Sequence, residues 1–208
     1  MHKEIRDAIP NSLQVNSTGT CIEWLPIVNT AVYETLPIKP MSSSTLRILP
    51  EREIKSGDRL VVMPTSATNL LSALPTNGLG RTAQVKQDVL FTAGEDATMI
   101  NVTLTQATSF EVSSPAHRLY MYREPLAYCL EGSQLFRYSD YPLSRSELSP
   151  AGLSNGKRQL MSGNIKNASF QIEHPSLVRN GLVKMLFIFS DNNEEVRLDH
   201  DVLIFNTP

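Results

Sequence analysis

Strict alternation of apolar and polar residues is the feature that most constrains the fold of this chain. Residues 100–105 read INVTLT, and residues 167–172 read NASFQI. Side chains of a β-strand point alternately to the two faces of a sheet, so this two-residue period buries one face and leaves the other in water. The pattern predicts half-buried strands of an antiparallel sheet.

Turn signals between apolar segments predict three hairpins. The first spans 12–27 and turns at 16–19, and the second spans 126–138, where Gly132 supplies the positive φ of a tight turn. The third joins 181–189 to a last strand in which Val196, Leu198, Val202 and Ile204 share one face.

Three further segments can be interpreted. Val85, Val89 and Phe91 are separated by even numbers of residues, which indicates another strand. TSATNLLSAL (65–74) indicates a short helix after Pro64. Residues 140–164 are rich in Ser, Gly and Pro, which is typical of a long surface loop.

The opening octet MHKEIRDA places Ile5 and Ala8 at helical spacing, and Pro10 prevents the helix from continuing. We therefore expect residues 1–9 to be the end of an N-terminal helix and residues 10–208 a mainly antiparallel β head. The predicted class is α+β, with the truncated helix packed on one or two antiparallel sheets, and 208 residues suffice for a single domain over 1–208.

Charge and hydropathy exclude several partners. The net charge is −2 with Lys and Arg dispersed along the chain, so no basic stripe is available for nucleic acid. No segment approaches the roughly 20 apolar residues that span a bilayer, since the longest, 182–189, is interrupted by Lys184.

The two cysteines, Cys21 and Cys129, match no metal-ligand spacing. In an oxidising compartment they could form one long-range disulfide, and in a reducing one they would be buried thiols that pack as small apolar residues. Both alternatives are compatible with the sequence.

Motifs for catalysis and metal binding are weak. GLSNG (152–156) fits the G-x-S-x-G pattern, but Pro150 precedes it where a nucleophile elbow needs a strand, so we do not expect Ser154 and His200 to form a hydrolase site. DNNEE (191–195) offers oxygen ligands for calcium or, more simply, a hairpin tip. We predict a protein that is not an enzyme, with no cofactor, metal or small-molecule substrate.

Histidines and aromatic residues complete the candidates. The four histidines are scattered, and none pairs with another at ligand spacing. The aromatic residues of neighbouring strands could form an interaction face for a partner or pack across strands in the core. The histidines are His2, His117, His174 and His200. The aromatic residues are Tyr120, Tyr122, Tyr128, Phe136 and Tyr138.

Four segments carry a family resemblance. HKEIRDAIPNSLQV (2–15) resembles the lower end of the long N-terminal helix of type IV pilin-like proteins, and CIEWLPI (21–27) follows at a similar distance. SSPAHRLYMYREPLAYCLEGSQLFRY (113–138) is similar to a segment of MSHA-type minor pilins of the MshO kind, and HDVLIFNTP (200–208) resembles their last strand.

The resemblance implies a pilin-like or pseudopilin-like head that acts as a structural minor pilin and helps to initiate or prime assembly of an MSHA-type pilus. It implies a periplasmic location, anchoring in the inner membrane through an N-terminal helix upstream of Met1, and a final place in the pilus near its tip. The implied partners are other minor pilins and the major pilin. The alternatives are a J-type minor pseudopilin of type II secretion and, from a different class, a secreted β-sandwich that binds carbohydrate.

Overall fold

The structure is a computed structural model that describes residues 1–72, 74–92, 94, 97–173, 181–192 and 194–204, with Asn69 described by its backbone alone. In chain order the elements are α1 (His2–Arg6), β1 (Gln14–Val15), β2 (Cys21–Trp24), β3 (Asn29–Tyr33), β4 (Ser43–Pro50), β5 (Arg59–Val62), α2 (Ala67–Leu71), β6 (Leu79–Gly80), β7 (Thr82–Gln84), β8 (Ile100–Phe110), β9 (Arg118–Tyr122), β10 (Leu126–Glu131), β11 (Gln134–Ser139), β12 (Lys157–Ser162), β13 (Ile165–Glu173), β14 (Gly181–Asp191) and β15 (Glu194–Ile204).

The predicted α+β class is wrong, because the protein is mostly β. Among the described residues, strands and isolated bridges account for 52% and helix for 5%. The opening octet does form a helix, but α1 has five residues and α2 another five, and one and a half turns cannot form a helical layer. The structure is therefore not a pilin-like α+β head built around a packed helix.

The chain divides into two compact units. Unit 1 contains Met1–Pro26 and the described residues of 124–204, and unit 2 contains the described residues of Ile27–Arg123. Unit 1 is thus assembled from two segments that are separated in sequence by the whole of unit 2. A single domain over residues 1–208 stays a prediction.

Unit 1 contains two antiparallel sheets. The order is β1-β2-β10-β11-β12 in the five-stranded sheet and β13-β14-β15 in the three-stranded sheet. The predicted hairpins β1–β2, β10–β11 and β14–β15 are confirmed, with Gly132 at φ 58° in the second turn and Asn192 at φ 48° in the third. Residues of α1 and of both sheets share one core, which includes Ile5, Trp24, Tyr128, Phe170 and Val202.

Unit 2 is built on one seven-stranded sheet of order β6-β8-β4-β3-β9-β5-β7. Its neighbours are antiparallel except β6 and β8, which run parallel. The sheet is nearly closed, because Val85, directly after β7, forms an antiparallel bridge to Leu104 in β8. The apolar faces of the strands meet inside and bury residues such as Leu46, Ile48 and Leu119.

Two local predictions need correction. Residues 85–91 do not form one strand, since Val85 bridges to Leu104 while Val89 bridges to Ile54, and each residue joins a different neighbour. Residues 140–164 are not entirely loop, since β12 lies within them and pairs with β11. The helix predicted near 65–74 is confirmed as α2, within the described residues.

Replacing Leu46 by Ala should destabilise unit 2 by about 2–5 kcal/mol, because Leu46 is 2% exposed and its truncation leaves a cavity in the core. The matched control is Leu90→Ala, since Leu90 is 82% exposed and should cost under about 0.5 kcal/mol. Urea unfolding measures both values. Equal losses for the two variants would contradict the core assigned to this sheet.

Candidate interaction surface

The five aromatic residues predicted as an interaction face are buried. Tyr120 and Tyr122 belong to unit 2, and Tyr128, Phe136 and Tyr138 belong to unit 1. These rings are core residues and cannot present an exposed face to a partner. The sequence alone left packing in the core open as the alternative. Burial supports core packing, although the five rings are divided between the sheets of two units.

Three of these rings make specific contacts within their own unit. The Tyr122 hydroxyl donates to the Leu70 carbonyl at 3.1 Å, and the Tyr128 ring stacks on Trp24 with 5.4 Å between ring centroids. The Arg158 guanidinium lies 3.6 Å from the centroid of the Phe136 ring in a cation–π contact. Burial, followed by the hydrogen bond to Glu4, raises the pKa of Tyr128, so this ring stays neutral and serves as a hydrogen-bond donor.

Cys21 and Cys129 are directly opposite each other in the β2–β10 pair and are joined by a disulfide. Both are fully buried, beside Phe136, Tyr138, Tyr141 and Leu153. The bridge joins residues 108 positions apart, on the two segments from which unit 1 is assembled.

A buried ion pair in unit 1 fixes the segment that follows β11. Glu23, in the fully buried strand β2, accepts a hydrogen bond from the Tyr141 hydroxyl at 2.9 Å, and its other oxygen lies 2.5 Å from Nη2 of Arg145. Burial raises the pKa of Glu23, while the charge of Arg145 lowers it. The pair therefore holds the start of the predicted loop against the sheet.

The G-x-S-x-G segment is part of this fixed region. It forms turns instead of the strand-turn-helix of a nucleophile elbow, and Ser154 is exposed there. A Cβ on Gly152 would lie 2.3 Å from the Glu147 carbonyl oxygen, and one on Gly156 would lie 2.6 Å from that of Ser139. Close backbone packing thus explains both glycines without catalysis.

An exposed apolar surface lies on the three-stranded sheet. We call Phe187, Phe189, Val196 and Leu198 the hairpin patch. Val196 pairs with Phe189 and Leu198 with Phe187, on the sheet face that also carries the buried Val183 and Val202. Val196 is 56% exposed and Leu198 51%. The alternation in the sequence predicted that Val196 and Leu198 lie on one face of the strand, but it did not predict that they are exposed.

Burial across this face decreases from β13 to β15. Ile165 in β13 is buried, its neighbour Phe189 in β14 is half-buried, and Val196 in β15 is exposed. The next row of paired residues shows the same trend, since Ala168 is buried, Phe187 is half-buried and Leu198 is exposed. The core therefore covers the β13 side of this end of the sheet and leaves the β15 side uncovered.

The opposite face of β15 is charged. Arg197 donates to Asp199 at 2.8 and 3.1 Å, and Lys166 forms an ion pair with Glu195. β15 also has a single strand neighbour in the described part of the sheet, so it forms an edge. One face of this edge strand is therefore solvated by charges, while the other presents apolar side chains.

Unit 2 contains a cavity of about 360 Å³ on its sheet. Val32, Leu49, Glu51 and Arg118 contribute to its lining, together with the half-buried Phe91. Carbohydrate-binding sites stack sugar rings on exposed aromatic platforms, and this lining supplies one aromatic ring among the described residues. The cavity therefore does not favour the carbohydrate alternative.

Among the described residues, no group of three or more His, Cys, Asp or Glu side chains converges as metal ligands would. The DNNEE segment forms the tip of the β14–β15 hairpin, where Asp191 pairs with Glu194, and Asn193 lies outside the described residues.

No family model, curated protein or solved structure matches this chain. In the part of the chain that the structure describes, no helix has the length and hydropathy required to cross a membrane.

Replacing Arg145 by Ala should destabilise unit 1 by about 3–5 kcal/mol, because the buried Glu23 carboxylate loses its countercharge. Arg197→Ala is the control, since it breaks an exposed pair that solvent screens and should have a much smaller effect on the free energy of unfolding. Adding Glu23→Gln to Arg145→Ala should restore much of the loss in urea unfolding. A small effect of Arg145→Ala would contradict the buried pair.

The effect of Arg145→Ala on the free energy of unfolding should depend on pH. The folded-state pKa of Glu23 lies above its ordinary value of 4.5, so its protonation favours the folded state below pH 4.5 and this contribution is lost as pH rises through the folded pKa. Without Arg145 the pKa rises further. The free-energy loss of Arg145→Ala relative to the wild type should therefore be larger at pH 7.5 than at pH 4.5, and a loss independent of pH would contradict an ionised Glu23.

Reduction of the disulfide should lower the free energy of unfolding by about 4–5 kcal/mol in the chain-entropy account, because it releases a loop of about 108 residues. Urea unfolding with and without a phosphine reductant measures the difference. The Cys21→Ala/Cys129→Ala double variant is the control and should not respond to reductant. A wild-type protein that is equally insensitive would contradict the bridge.

Proposed function

We propose that this protein is a structural, non-enzymatic subunit that helps to initiate or prime assembly of an MSHA-type pilus through protein–protein contacts, in the manner of a minor pilin. The observation that carries the proposal is the hairpin patch, an exposed apolar surface on a well-packed sheet. The resemblance of segments 2–15, 21–27, 113–138 and 200–208 to minor pilins supplies the kind of assembly.

The physical chemistry of the hairpin patch suits a subunit contact. Two aliphatic side chains more than half exposed, next to two half-buried phenylalanines, form a contiguous apolar surface of the kind that marks protein interfaces. Burial of such a surface contributes about 25 cal/mol per Å². A contact this small is weak by itself, but subunits held in one membrane or filament meet at high effective concentration, which makes a weak contact sufficient.

The disulfide supports the proposed location. A buried bridge between Cys21 and Cys129 is typical of proteins that fold in an oxidising compartment such as the periplasm. We propose a periplasmic unit that is anchored in the inner membrane by a helix upstream of Met1 and later enters the pilus near its tip. Its partners would be other minor pilins and the major pilin.

A J-type pseudopilin of type II secretion is the second candidate, because it would use the same kind of subunit contact in a related filament. The observation behind it is the same hairpin patch, so the two candidates differ in the filament and not in the surface. Loss of pili after gene deletion supports the first candidate, and loss of exoprotein secretion with normal pili supports the second.

Leu198→Asp should abolish complementation of a deletion strain, with at least a tenfold loss of surface pili, because a carboxylate cannot be buried in an apolar contact without a large desolvation cost. The matched control is Leu203→Asp, at a residue of the same strand that is 53% exposed on the opposite face. Shed pilin and pilus counts by microscopy measure the outcome.

Thermal unfolding should be nearly the same for the two variants, which shows that the loss is not a folding defect. Normal piliation with Leu198→Asp, or an equal defect with Leu203→Asp, would refute the role of the hairpin patch. Normal piliation and normal secretion in the deletion strain would refute the proposed function itself.

A further inference from the structure

Two histidines that lie 198 residues apart in sequence are in contact in unit 1. His2 is the first residue of α1 and His200 lies in β15, and both are exposed. Nδ1 of His2 and Nε2 of His200 are 2.8 Å apart, and the ring centroids are separated by 4.7 Å. The pair is therefore a hydrogen bond between two imidazoles, in which one nitrogen donates and the other presents its lone pair.

Secondary structure fixes both backbones. On the helix side, Ile5 is buried in the core, and Glu4 accepts a hydrogen bond from Tyr128 and lies 3.0 Å from Nη2 of Arg137. On the strand side, His200 lies directly opposite Met185 in the continuous β14–β15 ladder. The two imidazoles thus converge because their elements are packed in place.

Convergent imidazole nitrogens are ligands for divalent transition metals such as Zn²⁺, Cu²⁺ and Ni²⁺. Zn–N bonds are about 2.0–2.1 Å long, so two nitrogens on a tetrahedral ion lie roughly 3.3–3.4 Å apart. The observed 2.8 Å must widen by about 0.5 Å, which is within reach of small side-chain rotations at two exposed residues. The metal would take the place of the shared proton.

We propose that His2 and His200 form a two-imidazole site for one divalent transition-metal ion, with Zn²⁺ as the representative, and that the bound ion links α1 to β15. Water completes the coordination, since the described residues bring no third His, Cys, Asp or Glu into the group. Asp199 and Asp201 flank His200 but lie on the other face of the strand, where they add negative potential without ligating.

Isothermal titration of the purified chain with ZnCl₂ in a non-chelating buffer tests the proposal. The wild type should bind one Zn²⁺ through the pair. His2→Gln and His200→Gln should each lower the affinity at least tenfold, because either substitution leaves a single imidazole. The controls are His117→Gln, in unit 2, and His174→Gln, at a position outside the described residues; each should stay within twofold of the wild type.

Thermal unfolding provides an independent readout. Each tenfold rise in free Zn²⁺ above the dissociation constant should raise the Tm of the wild type by roughly 3–5 °C, and EDTA should reverse the shift. His2→Gln and His200→Gln should unfold normally without metal and show no Zn²⁺-dependent shift. The Zn²⁺-dependent Tm shift does not require pilus assembly. Its absence would therefore contradict the metal site without contradicting the proposed function.

Three outcomes would overturn the proposal. The first is a wild type that shows neither binding heat nor a Zn²⁺-dependent Tm shift. The second is binding that survives His200→Gln, since this would place the ion on the helix end alone. The third is an equal loss of affinity in His117→Gln or His174→Gln, which would place the ion elsewhere.

Discussion

The pairing of β2 with β10 is the constraint on which unit 1 depends. β2 comes from the first 26 residues, and β10 follows Glu124, so this pairing unites the two segments of the unit. All four residues of β2 are buried, and together they serve three purposes. Cys21 forms the disulfide, Ile22 and Trp24 enter the core, and Glu23 holds the segment after β11 through Tyr141 and Arg145.

One side of the three-stranded sheet packs into a buried core, and the other side is only partly covered by the rest of the protein. Its β13 side is buried, while its β15 side shows apolar residues on one face and ion pairs on the other. An exposed apolar surface of this kind is suited to contact with a partner, because its burial removes apolar area from water. β15 carries two residues of the hairpin patch as well as His200, so the proposed partner surface and the contact with α1 share this strand.

The sequence predictions were wrong where a local pattern was used to infer how distant segments of the chain pack together. The octet correctly indicated helical residues, but five of them do not make an α+β fold. Tyr128 and Tyr138 do lie on the neighbouring strands β10 and β11, but Tyr120 and Tyr122 lie on β9 in the sheet of the other unit, so the predicted cluster is divided between two sheets. Alternation also could not tell an exposed face from a buried one when both faces of a strand are covered. Residues 140–164 have loop composition, and β12 forms there because β11 offers it an edge.

By itself, the sequence determined the elements with short-range causes: half-buried strands from two-residue alternation, the β10–β11 turn from Gly132, the short helix after Pro64, and the shared face of Val196, Leu198, Val202 and Ile204. Tertiary structure alone decided which members of that face are covered. It also decided that Cys21 meets Cys129 and that His2 meets His200. These contacts join residues 108 and 198 positions apart, and they follow from which strands and helices pack together, a choice that no local pattern encodes.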